Sequence, residues 1–377
     1  MFDRIFVPAP LRDALSDEAW LQALLDVERA LAGSEARVGV IPEETARAIA
    51  DVCRAERFDA AALADEGRSP GNPVEPLVRA LREAVGGDAA EYVHHCATSQ
   101  DILDTAAMLV ARNGLTLIAD SLDAVAAEAA GLAEAHRSAP MVGRTLLQQA
   151  VPITFGLKAA GWLMGVLEAR QALVRVREER LAVQLGGAAG TLAGLGEAGP
   201  EVARLLAEEL RLNEPSMPWH TNRVRIGELA SALALAAGAG AKIGLDVGLL
   251  SQNEVGEVAE AAPGVSSAMP HKRNPVGSLL AVACARQAEA QAGVLLASLV
   301  QEHERAFGTW HAEWPALVGA LGYAGGAVDG AKRALTGLEV HADRMRANLE
   351  ASGLGLELGS AEAFADRALG EYRSELG

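Results

Sequence analysis

The sequence predicts an all-α protein: an elongated bundle of long helices preceded by a smaller helical region. Three observations predict it. First, 50% of the 377 residues are hydrophobic but only 4% are aromatic, so the chain must pack over Ala and Leu, which are strong helix formers. Second, prolines cluster early, at Pro8, Pro10, Pro42, Pro70, Pro73 and Pro76, and then leave long proline-free stretches, as helix interiors require. Third, apolar residues in those stretches recur with helical period, as in Phe155, Trp162, Val166, Leu173 and Val176.

Residues 1–100 read as a small N-terminal helical domain. One helix starts after Ser16, a good N-cap, with Asp17 and Glu18 where the helix dipole favours anions; its stripe is Trp20, Leu24, Val27 and Leu31. Residues 101–348 form the bundle domain, with helical stretches expected over 101–136, 152–184, 223–262, 275–314 and 316–349. The first, at 1.5 Å per residue, spans about 54 Å, more than a small globular domain accommodates. Residues 349–377 form a short helical tail. No alternating pattern of useful strand length is present. The apolar faces are rich in Ala and Gly, as over 229–240, and close helix contact between subunits is expected to bury them, which predicts a homo-oligomer.

The formal charge of −17 repels phosphate backbones and anionic membranes, so neither nucleic acid nor membrane is an expected partner. An anionic substrate then requires a locally cationic site, and lysine is scarce: only Lys158, Lys242, Lys272 and Lys332. Cys53, Cys96 and Cys284 are odd in number and unpaired in spacing, as in a reducing cytoplasm. The N-terminus, with Asp3 and Arg4, does not read as a signal peptide. The apolar run 229–241 ends at Lys242, short of the roughly 20 residues that a bilayer needs. A soluble, cytoplasmic protein is expected.

Residues 194–199, Gly-Leu-Gly-Glu-Ala-Gly, match GxGxxG formally, but the pattern before them is helical, so a dinucleotide is not expected. His303, His311 and Glu313 lack the third or fourth converging ligand of a zinc site; structural polar contacts are expected there, and no metal. The segment Ser266-Ser-Ala-Met-Pro-His-Lys-Arg-Asn-Pro275 differs in kind. It joins two long helices and concentrates hydroxyls, three potentially cationic residues and an amide. Such a loop suits an anionic intermediate, with backbone N–H groups at the start of the Pro275 helix adding to the donors.

That ten-residue segment closely resembles the signature loop of the fumarase/aspartase superfamily. Two further segments resemble its other active-site regions, in the right order. One is Val93-His-His-Cys-Ala-Thr-Ser-Gln-Asp101, leading to Asp104-Thr105; the other is Gly143-Arg-Thr-Leu-Leu-Gln-Gln-Ala-Val-Pro152. The resemblance implies a homotetramer with a 20-helix core, a shortened C-terminal region, no cofactor, and sites each built by three subunits around a small anionic substrate. It implies that Ser266 transfers the proton, while Lys272 and Asn274 hold the substrate carboxylate and the carbanion. His94, Thr98, Ser99, Gln149, Arg144, Arg273 and His271 are the implied substrate-binding residues. Cys96, Val224 and Val265 depart from the family pattern.

In the superfamily's lyases a histidine after Arg-Thr assists the leaving amine or water. Here that place is Leu146. A carboxylate leaves without such help, so the chain resembles the carboxymuconate cycloisomerase branch, in which a tricarboxylate's own carboxylate closes on its double bond to give a lactone. Gly71-Asn-Pro-Val74, Trp219-His-Thr221 and 301–314 also resemble that branch; Trp219, His220 and Trp310 are equally readable as structural. An adenylosuccinate-type lyase and a non-catalytic protein on the same fold are the alternatives.

Overall fold

Ser16 starts the first long helix as its N-cap: its Oγ accepts the Ala19 amide at 3.2 Å, and Asp17 and Glu18 fill the first turn. The computed structural model describes residues 2–269 and 271–376. It places this helix, α3 (Asp17–Arg37), after the short α1 (Asp3–Phe6) and α2 (Ala9–Ala14). α4 (Glu43–Val52), α5 (Ala60–Glu66) and α6 (Val74–Val85) follow. Of the expected stripe, Leu24, Val27 and Leu31 are buried and Trp20 is half-buried.

The long helices are α7 (Ser99–Ala135), α8 (Phe155–Glu179), α10 (Val224–Leu250), α11 (Val276–Ala297) and α12 (Thr309–Leu335), with the shorter α9 (Gly199–Leu210) packed on α3. α7 is about 55 Å long by its 37 residues. It packs on α8 and α12, while α10, α11 and α12 pack on one another. Small residues permit this. A Cβ on Gly240 would lie 2.8 Å from the Ala327 carbonyl oxygen, and one on Gly244 2.7 Å from that of Ser278. Gly240, in the run expected to face another subunit, thus brings backbones together within one chain, and Gly244 beyond that run does the same. α13 (Ala342–Ser352) then packs on a hairpin strand, and α14 (Ala361–Leu376) lies along α7 and α8.

Several expected elements change. The 223–262 stretch stops being helical at Leu250 and continues into β3 (Val258–Ala259), antiparallel to β4 (Glu339–Val340). The 275–314 stretch breaks at Ser298, and the loop to Thr309 includes Gly308 at φ +98°. Pro315 lies inside α12 rather than bounding it, at the cost of one i→i−4 hydrogen bond. The apolar run does not end at Lys242 either. α10 carries on for eight residues, with Lys242 reaching outward to pair with Asp246 at 2.6 Å. α7 and α10 are therefore long and apolar enough to cross a membrane by length and composition, but 78% of the most apolar stretch of α7 and 50% of that of α10 is buried in the protein.

The second signature segment is a β-hairpin, which the sequence reading misses. β1 (Pro140–Thr145) pairs antiparallel with β2 (Gln148–Thr154), with a register shift between Gly143 and Arg144. Its two-residue turn is Leu146-Leu147, with φ of +52° and +63°. Two left-handed residues are what a tight hairpin turn demands, and Asn-Gly is its usual sign. Leucines give no such sign.

Candidate active site

The 266–275 loop is closed at its base by backbone pairing. Gly264 donates to the Asn274 carbonyl at 2.8 Å and accepts from the Asn274 amide at 3.2 Å. Within the loop, Ser266 Oγ accepts the Met269 amide at 3.1 Å, so the half-buried serine fixes the turn that carries it. His271 and Lys272 are exposed. Pro270 lies outside the described residues. Arg273 is turned away from the loop: its guanidinium donates to Glu339 at 2.8 Å and to the Glu260 carbonyl at 3.0 Å. The start of α11 is likewise occupied. Buried Glu260 accepts the Gly277 amide at 3.0 Å, the Ser278 amide at 2.8 Å and the Ser278 hydroxyl at 2.7 Å. The amides expected to face an anionic intermediate are satisfied by the protein's own carboxylate.

The hairpin is pinned in the same manner. Arg144 donates from both terminal nitrogens to the fully buried Glu257, at 2.9 and 2.8 Å. Asn348 of α13 adds a third hydrogen bond to that carboxylate at 2.8 Å. Such a bidentate pair neutralises the guanidinium locally, so Arg144 and Arg273 are anchors of their segments. Beyond the anchor the tip is bare: Leu146 is 96% exposed, and Gln149 is exposed on β2.

The first segment sits at the opposite end of the bundle. Thr98 is the N-cap of α7 in a capping box, its amide donating to Asp101 at 3.1 Å, and Ser99 opens the helix. Asp101 also accepts the Gly186 and Gly187 amides, both at 2.9 Å, and lies 2.7 Å from His220 Nε2. His94 and His95 are held from α3. His94 Nδ1 is 2.6 Å from Glu28, and His95 Nδ1 is 3.0 Å from Glu35. Burial lowers the His94 pKa, but the Glu28 carboxylate and its hydrogen bond outweigh it, and the net shift is upward. The Glu35 carboxyl is pushed up to about 8 by burial and by the neighbouring Glu28 charge. His94 and Cys96 have φ of +61° and +52°, a left-handed backbone in which glycine is the easier residue.

Behind this segment lies a buried charge cluster. Arg223 bridges Asp104, at 2.7 and 3.0 Å, and Glu313, at 3.0 Å. The indole of Trp310 donates to Asp104 at 2.9 Å. Trp219 donates to the Val183 carbonyl at 2.8 Å, and the Arg223 guanidinium lies 4.7 Å from its ring centroid. The His311 ring meets Trp310 edge-on and Trp314 at a tilt, and the His303 carbonyl accepts from Thr221. Trp219, His220, Trp310 and Glu313 thus make buried polar contacts within the chain, and His311 is exposed.

One chain does not assemble the three segments. Arg223, which pairs with Asp104, immediately precedes α10. Leu250, its last residue, accepts the Glu257 amide at 2.9 Å, and Glu257 holds the hairpin. Twenty-seven helical residues place the two ends about 40 Å apart. The hairpin and the 266–275 loop share the far end, anchored three residues apart by Glu257 and Glu260. Sequence reasoning missed both anchors. Their one sign was a pair of acids in an otherwise apolar tract, and the arginine that Glu257 meets is 113 residues distant.

Comparison with known proteins gives one family. Residues 7–290 match the family model described as lyase. The chain is 47% identical over 371 residues to the 3-carboxy-cis,cis-muconate cycloisomerase of Pseudomonas aeruginosa, covering 97% of this chain and 81% of the relative. It is 48% identical over 358 residues to the nitrosuccinate lyase of Streptomyces davaonensis, covering 91% and 75%. The crystal structure of 3-carboxy-cis,cis-muconate lactonizing enzyme from Pseudomonas putida has a TM-score of 0.92 at 36% identity, covering 99% of each chain. The fold, the three signature segments and these matches together show that the chain belongs to the lyase family.

Proposed function

We propose that this chain is a cycloisomerase that converts 3-carboxy-cis,cis-muconate to 4-carboxymuconolactone, a step of protocatechuate catabolism through β-ketoadipate, in the cytoplasm and without metal or cofactor. The observation that carries it is the likeness over 99% of both chains to the lactonizing enzyme. Leu146 agrees with it. A carboxylate oxygen adds to the double bond, and the electron pair moves to the carbon beside a second carboxylate. Ser266 protonates that carbon, while Lys272 and Asn274 stabilise the charge before the proton arrives. The ring oxygen was a carboxylate, a weak base, so the reverse step needs no acid at the place of Leu146. His94, Thr98, Ser99 and Gln149 bind the substrate, with His271 at the loop's edge, and Arg144 and Arg273 hold hairpin and loop in place.

The working unit is a homotetramer whose sites each take their three segments from three chains. Two features support this: the roughly 40 Å between segments in one chain, and the apolar face that α10 and α11 leave open at Leu235, Leu245, Leu279 and Leu296.

The 48% identity to nitrosuccinate lyase favours a second reading, elimination of nitrite from a nitro-substituted succinate. Nitrite is also a weak base and would leave without an acid at Leu146. One preparation decides between them. Incubated with 3-carboxy-cis,cis-muconate, it should bleach the diene's ultraviolet absorbance, and with nitrosuccinate release nitrite only at background rate. Rapid nitrite release with the diene untouched would overturn the assignment.

A further inference from the structure

The ends of α8 and α9 meet the middle of α7 around a polar cavity of about 370 Å³. Arg112, Thr116, Arg177, Glu178, Arg211 and Asn213 line it, with two leucines. Three cations thus face one acid, in a chain whose formal charge is −17. The neighbouring acids are committed elsewhere. Glu178 accepts from Arg177 Nε at 2.7 Å, and Glu209 accepts from Arg29 at 3.0 Å. Glu208 accepts from Arg37 at 3.2 Å and from Arg204 at 3.0 Å. Arg112 and Arg211 have no carboxylate partner among the described residues. Arg112 is half-buried and fixed: its Nη1 donates to the Leu210 carbonyl at 2.7 Å and the Arg211 carbonyl at 3.1 Å, which closes the end of α9. Its Nε and Nη2 have no acceptor among the described residues. Burial first, and the Arg211 charge second, hold its pKa below the usual guanidinium range, with no acid opposing them. Arg211 is exposed and left-handed, at φ +52°, at a helix end where glycine is usual.

We propose that this cavity is a second ligand site, for a small dianion (a dicarboxylate or a phosphate group) that pairs with Arg112 and Arg211 together. Two like charges held side by side destabilise each other, and an anion between them removes that cost. The guanidinium fork matches both carboxylate and phosphate oxygens. Three arginines less one glutamate leave a lining of +2, which a dianion neutralises. The volume lies within the roughly 300–1,000 Å³ of small-molecule sites. The place is apart from the signature segments, since Arg112 lies about 20 Å along α7 from Ser99.

Malonate and inorganic phosphate, titrated separately into the full-length assembled protein at low ionic strength, test this by calorimetry. At least one of them should bind saturably, and whichever binds tells a dicarboxylate site from a phosphate site. Acetate should bind at least about tenfold more weakly, because a monoanion leaves one guanidinium unpaired. Arg211→Gly removes one cation and suits the left-handed backbone, so its thermal melt should match or exceed that of wild type. It should weaken the bound anion at least about tenfold, the worth of a charged hydrogen bond, and Arg112→Gln should do the same. Lys272→Ala strips a cation from the candidate active site and should leave this binding unchanged. Equal affinity in Arg211→Gly and wild type, or binding lost in Lys272→Ala instead, would refute the site. So would the absence of binding by either anion.

Discussion

Ser266 is placed by the turn it makes, and its neighbour Ser267 is not. Ser266 Oγ accepts the Met269 amide, which leaves its own proton to be given away. Ser266→Ala should therefore lower turnover at least about a hundredfold with an unchanged thermal melt, and Ser267→Ala should stay within a few-fold of wild type. The reverse ranking would mean that the other serine carries the proton. Glu35 gives a second prediction, in stability. The unfolded side chain titrates near 4.5 and the folded one near 8. Between those values the fold retains a proton that the unfolded chain has released, so this residue's contribution is complete below 4.5 and is lost as pH rises to 8. Glu35→Gln keeps an acceptor beside His95 and cannot ionise. The variant's melting temperature, relative to wild type, should climb from about pH 5 to about pH 8; a gap that is constant with pH would show that Glu35 does not titrate there.

At the scale of elements, the hairpin turn is where local preference and use conflict. Leucine in a left-handed backbone costs on the order of 1–2 kcal/mol, and Leu146-Leu147 adopts it twice while exposed. Replacing the pair with Asn-Gly should raise thermal stability, because that dipeptide suits the turn, and should depress turnover, because the tip loses its apolar surface. A variant that gains stability with full activity would strip the leucines of any role. The same turn shows where sequence reading stops. Ser16 announced the start of α3, and the proline-free runs announced α7, α8 and the start of α11 within a few residues, since caps and prolines act locally. The hairpin stayed hidden because its turn residues contradict its shape. The helix break at Ser298 stayed hidden because no proline or glycine marks it. The candidate loop was readable as chemistry, but Glu257 and Glu260 were not, because an anchor is defined by a partner distant in sequence.

At the scale of the molecule, two broken sites can make a whole one. Ser266→Ala and His94→Ala damage segments at opposite ends of α10, so under the proposed assembly, mixed tetramers contain some sites with neither lesion. Co-expression should restore turnover that neither variant shows alone, and light scattering should give about four times the 39.1 kDa chain mass. An active monomer, or no recovery in mixed oligomers, would sink the composite site. The length of α10 then has a consequence for how this catalyst is switched on. Under the proposed assembly, a helix about 40 Å long between the parts of the machinery leaves an isolated chain inert however well it folds. If catalysis begins only when neighbours meet, specific activity is a property of concentration: dilution should silence the protein without unfolding it, and a cell that makes too little should have none.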